Sequence, residues 1–255
     1  MKKIIKNPLI ILAVGVMVLA GSSVGATTAA INNFSEAKEV DFSTANVSVQ
    51  VKEGATADST KAIDDMGVLE FANFDKENFH IGQSYDEFVN IQNDSSKYSE
   101  YVRVTVTKYW VVEDAKGNLV KDTTLDPSLI NLGISTDAGW VQDSTYESSE
   151  KEVYYLTSPL AAGAEVNLLQ SVTIDNKVTQ EVELKDALDE SGKAITATVE
   201  DEYLYDGATF YVEVKADAVQ VNNAKEAIYG AWGIDVECDA VDGGNITSIQ
   251  GVSCN

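Results

Sequence analysis

Tyr101-Val-Arg-Val-Thr-Val-Thr-Lys-Tyr-Trp-Val-Val112 decides the fold. The stretch is long, dense in β-branched and aromatic residues and free of Gly and Pro, which suits the middle of a sheet. Upstream, Asn46-Val-Ser-Val-Gln-Val-Lys52 alternates strictly and sets three valines on one face, and residues 85–91 form a further strand. Downstream, Asp114-Ala-Lys-Gly117-Asn118 has the Asp and Gly of a hairpin turn leading into Leu119-Val120. Residues 152–156, 166–174, 178–184, 194–199, 209–214 and 234–237 complete the expected strands, with turns at 189–193 and 205–208. Helix is scarce. Residues 223–233 open on Asn223, carry Glu226 three residues later and end on Gly233, a start-and-stop pattern for one short helix. Asp126-Pro127-Ser-Leu-Ile130 reads as a single helical turn with Pro at its first position. Many short strands at regular spacing predict an all-β fold, an antiparallel β-sandwich (jelly-roll-like) with one short helix near the C-terminus. The acidic stretch 53–65 reads as an exposed loop inside a single domain, 46–255.

The first thirty residues speak to location. Met1-Lys-Lys-Ile-Ile-Lys6 precedes an apolar run over residues 9–20, followed by Gly21-Ser-Ser-Val-Gly-Ala26-Thr-Thr-Ala29-Ala30. A basic start, a short apolar run and small residues at cleavage spacing are the pattern of a secretory signal peptide, here residues 1–29. The rival reading is an uncleaved anchor, kept open by the lack of charge from residue 7 to 35. A bilayer span takes about 20 apolar residues, however, and this run is shorter. Cuts after Ala26 and after Ala29 both leave compact residues before the scissile bond. The expected product is secreted, in the extracellular matrix or at the cell surface, with membrane contact only through the uncleaved precursor.

Charge narrows the partners. The chain has 18 Lys+Arg against 41 Asp+Glu, a net −23; loss of Lys2, Lys3 and Lys6 with the leader takes it three further, to −26. Such acidity excludes nucleic acid as a favoured partner and makes self-association sensitive to salt and acid. Eleven Tyr, seven Phe and three Trp supply enough apolar surface for a core and argue against a disordered acidic chain. The two cysteines, Cys238 and Cys254, form an even pair in an exported chain and suggest a disulfide holding the tail; two free thiols are the alternative.

Catalytic patterns are sparse. His80 is the single histidine, whereas zinc hydrolases commonly draw two or three His ligands. No Gly-x-Ser-x-Gly elbow occurs. Carboxylate groups such as Asp64-Asp65 or Glu200-Asp201-Glu202 suit solvated loop and edge charges in so acidic a chain. The expectation is no enzyme, no cofactor and no metal. Trp140, in Asp137-Ala-Gly-Trp140-Val, is either a core residue or an exposed stacking residue on a loop tip.

Gly25-Ala-Thr-Thr-Ala29-Ala30-Ile31-Asn-Asn-Phe34-Ser35, followed by Val40-Asp41-Phe42-Ser-Thr-Ala-Asn46-Val-Ser-Val49, resembles the start of the TasA/camelysin family. Weaker likenesses lie at residues 79–93 and at Ala216-Asp-Ala-Val-Gln220 with Ala231-Trp-Gly233; Ile81-Gly-Gln83 departs from the family's Pro-Gly-Asp turn. The resemblance implies cleavage between Ala29 and Ala30 by a SipW-type signal peptidase. It also implies a jelly-roll subunit of a biofilm-matrix fibre in a Gram-positive bacterium, with itself and other matrix proteins as partners. Residues 30–45 are then an exposed donor segment in which Ile31, Phe34, Val40 and Phe42 carry the donated strand. Two other function classes stand beside this one: a camelysin-like surface metalloprotease, which one histidine serves poorly, and a surface adhesin.

Overall fold

The stretch around Tyr101 is the central strand of its sheet. The computed structural model describes residues 47–64, 66–71, 73, 79–146, 148–179, 182–184 and 201–254, all within the compact unit Ala45–Asn255. The signal peptide, the donor segment and the strand expected at 194–199 lie outside the described residues. In chain order the strands are β1 (Val49–Gly54), β2 (Lys61–Ala62), β3 (Ser84–Asn93), β4 (Glu100–Glu113), β5 (Leu119–Asp122), β6 (Ile130–Ile134), β7 (Trp140–Gln142) and β8 (Lys151–Leu156). They continue with β9 (Glu165–Ile174), β10 (Val182–Leu184), β11 (Asp201–Tyr203), β12 (Thr209–Gln220), β13 (Val236–Cys238), β14 (Ile246–Ile249) and β15 (Val252–Ser253), with helix α1 (Ala224–Trp232) between β12 and β13.

All named strand pairings are antiparallel. One sheet runs β2-β1-β3-β9-β6 and the other β12-β4-β8-β7, with β5 also on β4. Their inner faces share a core built from Val89 and Ile91 of β3, Val102, Val104, Val106 and Trp110 of β4, and Leu168, Leu169 and Val172 of β9. Leu168 and Leu169 are adjacent yet both buried because β9 carries an extra residue opposite Val89–Asn90, a bulge that turns neighbouring side chains the same way.

Strand β4 is buried at most of its positions because its sheet is covered on both faces. Its outward face joins a second core in which Tyr101, Val153 and Tyr155 pack under Ala224 and Ile228 of α1, Val236 of β13 and Ile246 and Ile249 of β14. The Tyr101 hydroxyl closes this layer by donating to the Gly244 carbonyl at 2.6 Å. Burial of each large apolar side chain contributes about 1.5–3 kcal/mol, so the C-terminal layer belongs to the fold. Six strands, β2, β6, β7, β11, β14 and β15, were not expected from the sequence. They are two to five residues long, too short for a periodicity to show.

Local chemistry departs from expectation at two places. Asn223 precedes α1, but its side chain makes no cap bond and its φ is 49°. Asn tolerates that left-handed conformation, and its N–H donates to Asp242 instead at 2.7 Å. At the other end Gly233 takes φ 71° and its N–H returns to the Tyr229 carbonyl, as the sequence indicated. The stretch 53–65 is not simply a loop: β2 lies within it and Glu53 is buried.

A buried cation crosses the sandwich. The Lys108 ammonium of β4 lies 2.7 Å from the Glu152 carboxylate of β8 and donates to the Ile130 carbonyl of the opposite sheet at 2.9 Å. The Tyr154 hydroxyl donates to the same Glu152 carboxylate at 2.6 Å. Burial first, then the hydrogen bond to Glu152 and its charge, push that phenol well above its ordinary pKa.

Candidate functional site

The two sheets meet at an incompletely covered edge. β12 ends its sheet, and among the described residues only a strap of residues 66–71 crosses its outer side. Leu69 N–H donates to the Val212 carbonyl at 3.0 Å, Val214 N–H donates to the Gly67 carbonyl at 2.8 Å, and Val68 lies opposite Glu213. Gly67 is required for this approach: its φ is +75° and a Cβ would lie 2.4 Å from the Val214 carbonyl oxygen. Backbone groups alternate sides along a strand, so those of Ala216 point the same way as those of Val214, beyond the strap. Opposite them, Ser48–Val51 runs past the two-residue β2. Ser48 through Val51, Asp64, Asp94 and Val214 through Asp217 flank a cleft of about 380 Å³. An exposed edge of this kind accepts an extended segment through backbone hydrogen bonds.

Buried carboxyl groups hold β1 at both ends. At its start, Ser48 N–H donates to Glu100 at 3.2 Å; Glu100 is fully buried and its second oxygen has no hydrogen-bond partner. Burial pushes the Glu100 pKa up against the opposing effect of the Ser48 N–H. At its end, the Glu53 carboxylate accepts the consecutive N–H groups of Glu70 (2.8 and 3.0 Å) and Phe71 (2.7 Å). Phe71 has φ 53°, unusual for an aromatic residue. Its left-handed backbone lets two successive N–H groups converge in an anion-binding nest. Glu53 thus fastens the strap to β1.

Glu87 of β3 lies against this nest, 1% exposed. Neither of its oxygens receives an N–H or O–H donor, and Glu53 of β1 lies opposite Val89, two residues along β3, so a hydrogen bond between the two acids requires a proton on one of them. Burial first, then the hydrogen bond to Glu53 and the charge of Glu53, push its pKa up to about 9. The sequence contained a pointer: Tyr85, Glu87, Val89 and Ile91 share one face at period two. In so acidic a chain, nothing local distinguishes that glutamate from a solvated charge.

The remaining sequence-predicted residues are dispersed. Ala29, Ala30, Ile31, Phe34, Val40 and Phe42 lie outside the described residues. Cys238 and Cys254 are free thiols in the structure, in contrast to the bridge expected from their pairing. Both are half-buried against the second core, but Cys238 lies opposite Ile246 and the Cys254 N–H bonds to Thr247, so β14 separates them. Two strand spacings amount to about 10 Å, beyond the ~7 Å that a disulfide spans. For this arrangement, alkylation of the unfolded, non-reduced protein is expected to add two adducts per chain by mass; a mass with no adduct means that the tail re-pairs. His80 is exposed, and its backbone N–H donates to the Tyr85 hydroxyl at 2.6 Å. Among the described residues no group of three or more His, Cys, Asp or Glu side chains comes together as a metal set. Trp140 is a core residue, 2% exposed, with its indole N–H on the Asn167 carbonyl at 2.8 Å.

No family model matches the chain, and no curated protein matches it. Among solved structures it is similar to one chain of a dockerin–cohesin complex, with 12% identity over 46% of this chain and 85% of that chain and a TM-score of 0.25.

Proposed function

We propose that the protein is a secreted structural subunit of an extracellular biofilm-matrix fibre, in which residues 30–42 of one copy add as a strand to the next. The reading rests on the leader and on the resemblance of residues 25–49 to the TasA/camelysin family. The structural observation that carries it is the stretch of the β12 edge past the strap, beside Ser48–Val51, that is left uncovered among the described residues. A segment that leaves at one edge and is taken up at a neighbour's edge makes a head-to-tail contact that does not close on itself, and such contacts give filaments. Ile31, Phe34, Val40 and Phe42 are the apolar side chains of that strand, itself and other matrix proteins are the partners, and a SipW-type peptidase frees the segment.

Light scattering and electron microscopy test this. Protein starting at Ala30 is expected to form filaments at about 0.15 M salt, where repulsion among the acidic subunits is screened within about 8 Å, and more slowly at low salt. A form starting at Asp41 is expected to stay monomeric. Equal assembly of both forms, or no assembly of the longer one in any condition, rejects donor-strand exchange.

A further inference from the structure

We propose that a proton shared between Glu87 and Glu53 latches the strap of residues 66–71 over the β12 edge, so that acid secures the strap and alkali frees it. The inference goes beyond the fibre reading, because it stands whether or not the edge ever receives a neighbour's strand.

The geometry builds the latch in three steps. Consecutive N–H groups of Glu70 and Phe71 converge on the Glu53 carboxylate, a nest suited to an anion, which leaves the proton on Glu87. Glu87 has no other donor for either oxygen and is almost fully enclosed, so as an ion it would be both desolvated and beside a like charge. The strap that Glu53 fastens is the same segment that occupies Val212 and Val214 of β12. Loss of the one proton therefore sets two carboxylates against each other at the point where the strap is tied down.

The other charged groups around the latch do not replace the proton. Lys61, Asp64 and Glu70 line the mouth of the cleft beside Glu53; Lys61 is exposed on β2, where water screens it. Asp86 is exposed on the outward face of β3, and Glu213 of β12 is bonded to the Tyr109 hydroxyl. The Tyr85 hydroxyl, on the same face of β3 as Glu87, accepts the His80 N–H. Two carboxyl groups, one of which (Glu53) already accepts the Glu70 and Phe71 N–H groups, also make a poor divalent-cation site, which calls for six or more oxygen ligands for calcium.

Amide hydrogen exchange on the whole protein tests the latch, read as protection factors so that the intrinsic pH dependence cancels. From pH 6 to pH 9, protection of the Leu69, Glu70, Phe71 and Val214 amides is expected to fall five- to tenfold per pH unit, the limit for one linked proton being tenfold. Protection of Val104 and Val106 in β4 is expected to fall far less. In Glu87→Gln, whose amide donates to Glu53 at every pH, the strap is expected to stay protected throughout. If that variant also loses β4 protection and so fails to fold, Glu87→Met replaces it in the same comparison. A pH-independent strap in the wild type, or the same slope in wild type and variant, overturns the proposal. So does recovery of strap protection at pH 8 on adding millimolar calcium chloride, which makes the pair a cation site. Because the readout is local exchange in the monomer, its failure is distinct from a failure to form filaments.

Discussion

Lys108→Ala is expected to lower the unfolding free energy by about 3–5 kcal/mol, the range for removing one partner of a buried ion pair. The Lys108 and Glu152 side chains are 7% and 17% exposed, and truncation leaves the Glu152 carboxylate with only the Tyr154 hydroxyl. It also leaves the buried Ile130 carbonyl without its donor, a loss of about 1–3 kcal/mol when no water replaces it. The effect is about a charge left unpaired, so removing both members should be far milder. Lys108→Met combined with Glu152→Leu is expected to recover most of the stability, since replacing a buried pair by apolar residues of similar size is often neutral. Urea unfolding of the two singles and the double as a cycle measures this. Additive losses, with the double worse than either single, reject the brace between β4, β8 and β6.

Stability is expected to rise as pH falls from 9 toward 5. Glu87 is raised to about 9 and Glu100 is raised as well. Groups with raised carboxyl pKa values bind protons more tightly folded than unfolded. Their stabilisation is fully present below the unfolded value near 4.5 and is lost as pH climbs through the folded one. In that window each such group contributes on the order of 1 kcal/mol per pH unit at most. For a chain of this size that corresponds to about 2–4 °C in the thermal midpoint per pH unit. The opposite sign governs strong acid. Hydrogen bonds from Thr124 and Ser128 hold Asp122 and Asp126 below their ordinary values. Those from Lys52, Asn90 and Thr60 lower Glu165 against the opposing effect of its burial. What these groups contribute disappears as pH falls below about 4. The maximum therefore belongs near pH 5. Thermal melts from pH 3 to 9 check it, and Glu87→Gln should remove much of the slope between 5 and 9. A midpoint that climbs from pH 5 to 8, or an unchanged slope in Glu87→Gln, contradicts the assignment.

The sequence by itself determined the class of fold and its axis. Tyr101–Val112 is β4 less one residue at each end, and its length, its β-branched and aromatic density and its lack of Gly and Pro marked it as a strand from the middle of a sheet. The helix before Gly233 was equally plain, since its stop depends on a residue type and not on distant partners. Polar residues inside the sandwich were the part that only tertiary structure decided. Lys108, Glu87, Glu100 and Glu53 sit at inward strand positions, yet nothing local to them distinguishes a buried charge from a solvated one. What makes each tolerable is contributed from afar: Glu152 and Ile130 for Lys108, the Ser48 N–H for Glu100, and the nest of Glu70 and Phe71 for Glu53. The same holds for the cysteines, whose even number suggested a bridge that the intervening strand β14 keeps apart. Composition and periodicity fix which faces are apolar. Which hydrogen bonds, protons and strand neighbours reach a given side chain is set by contacts between segments tens of residues apart, and only the folded chain brings those together.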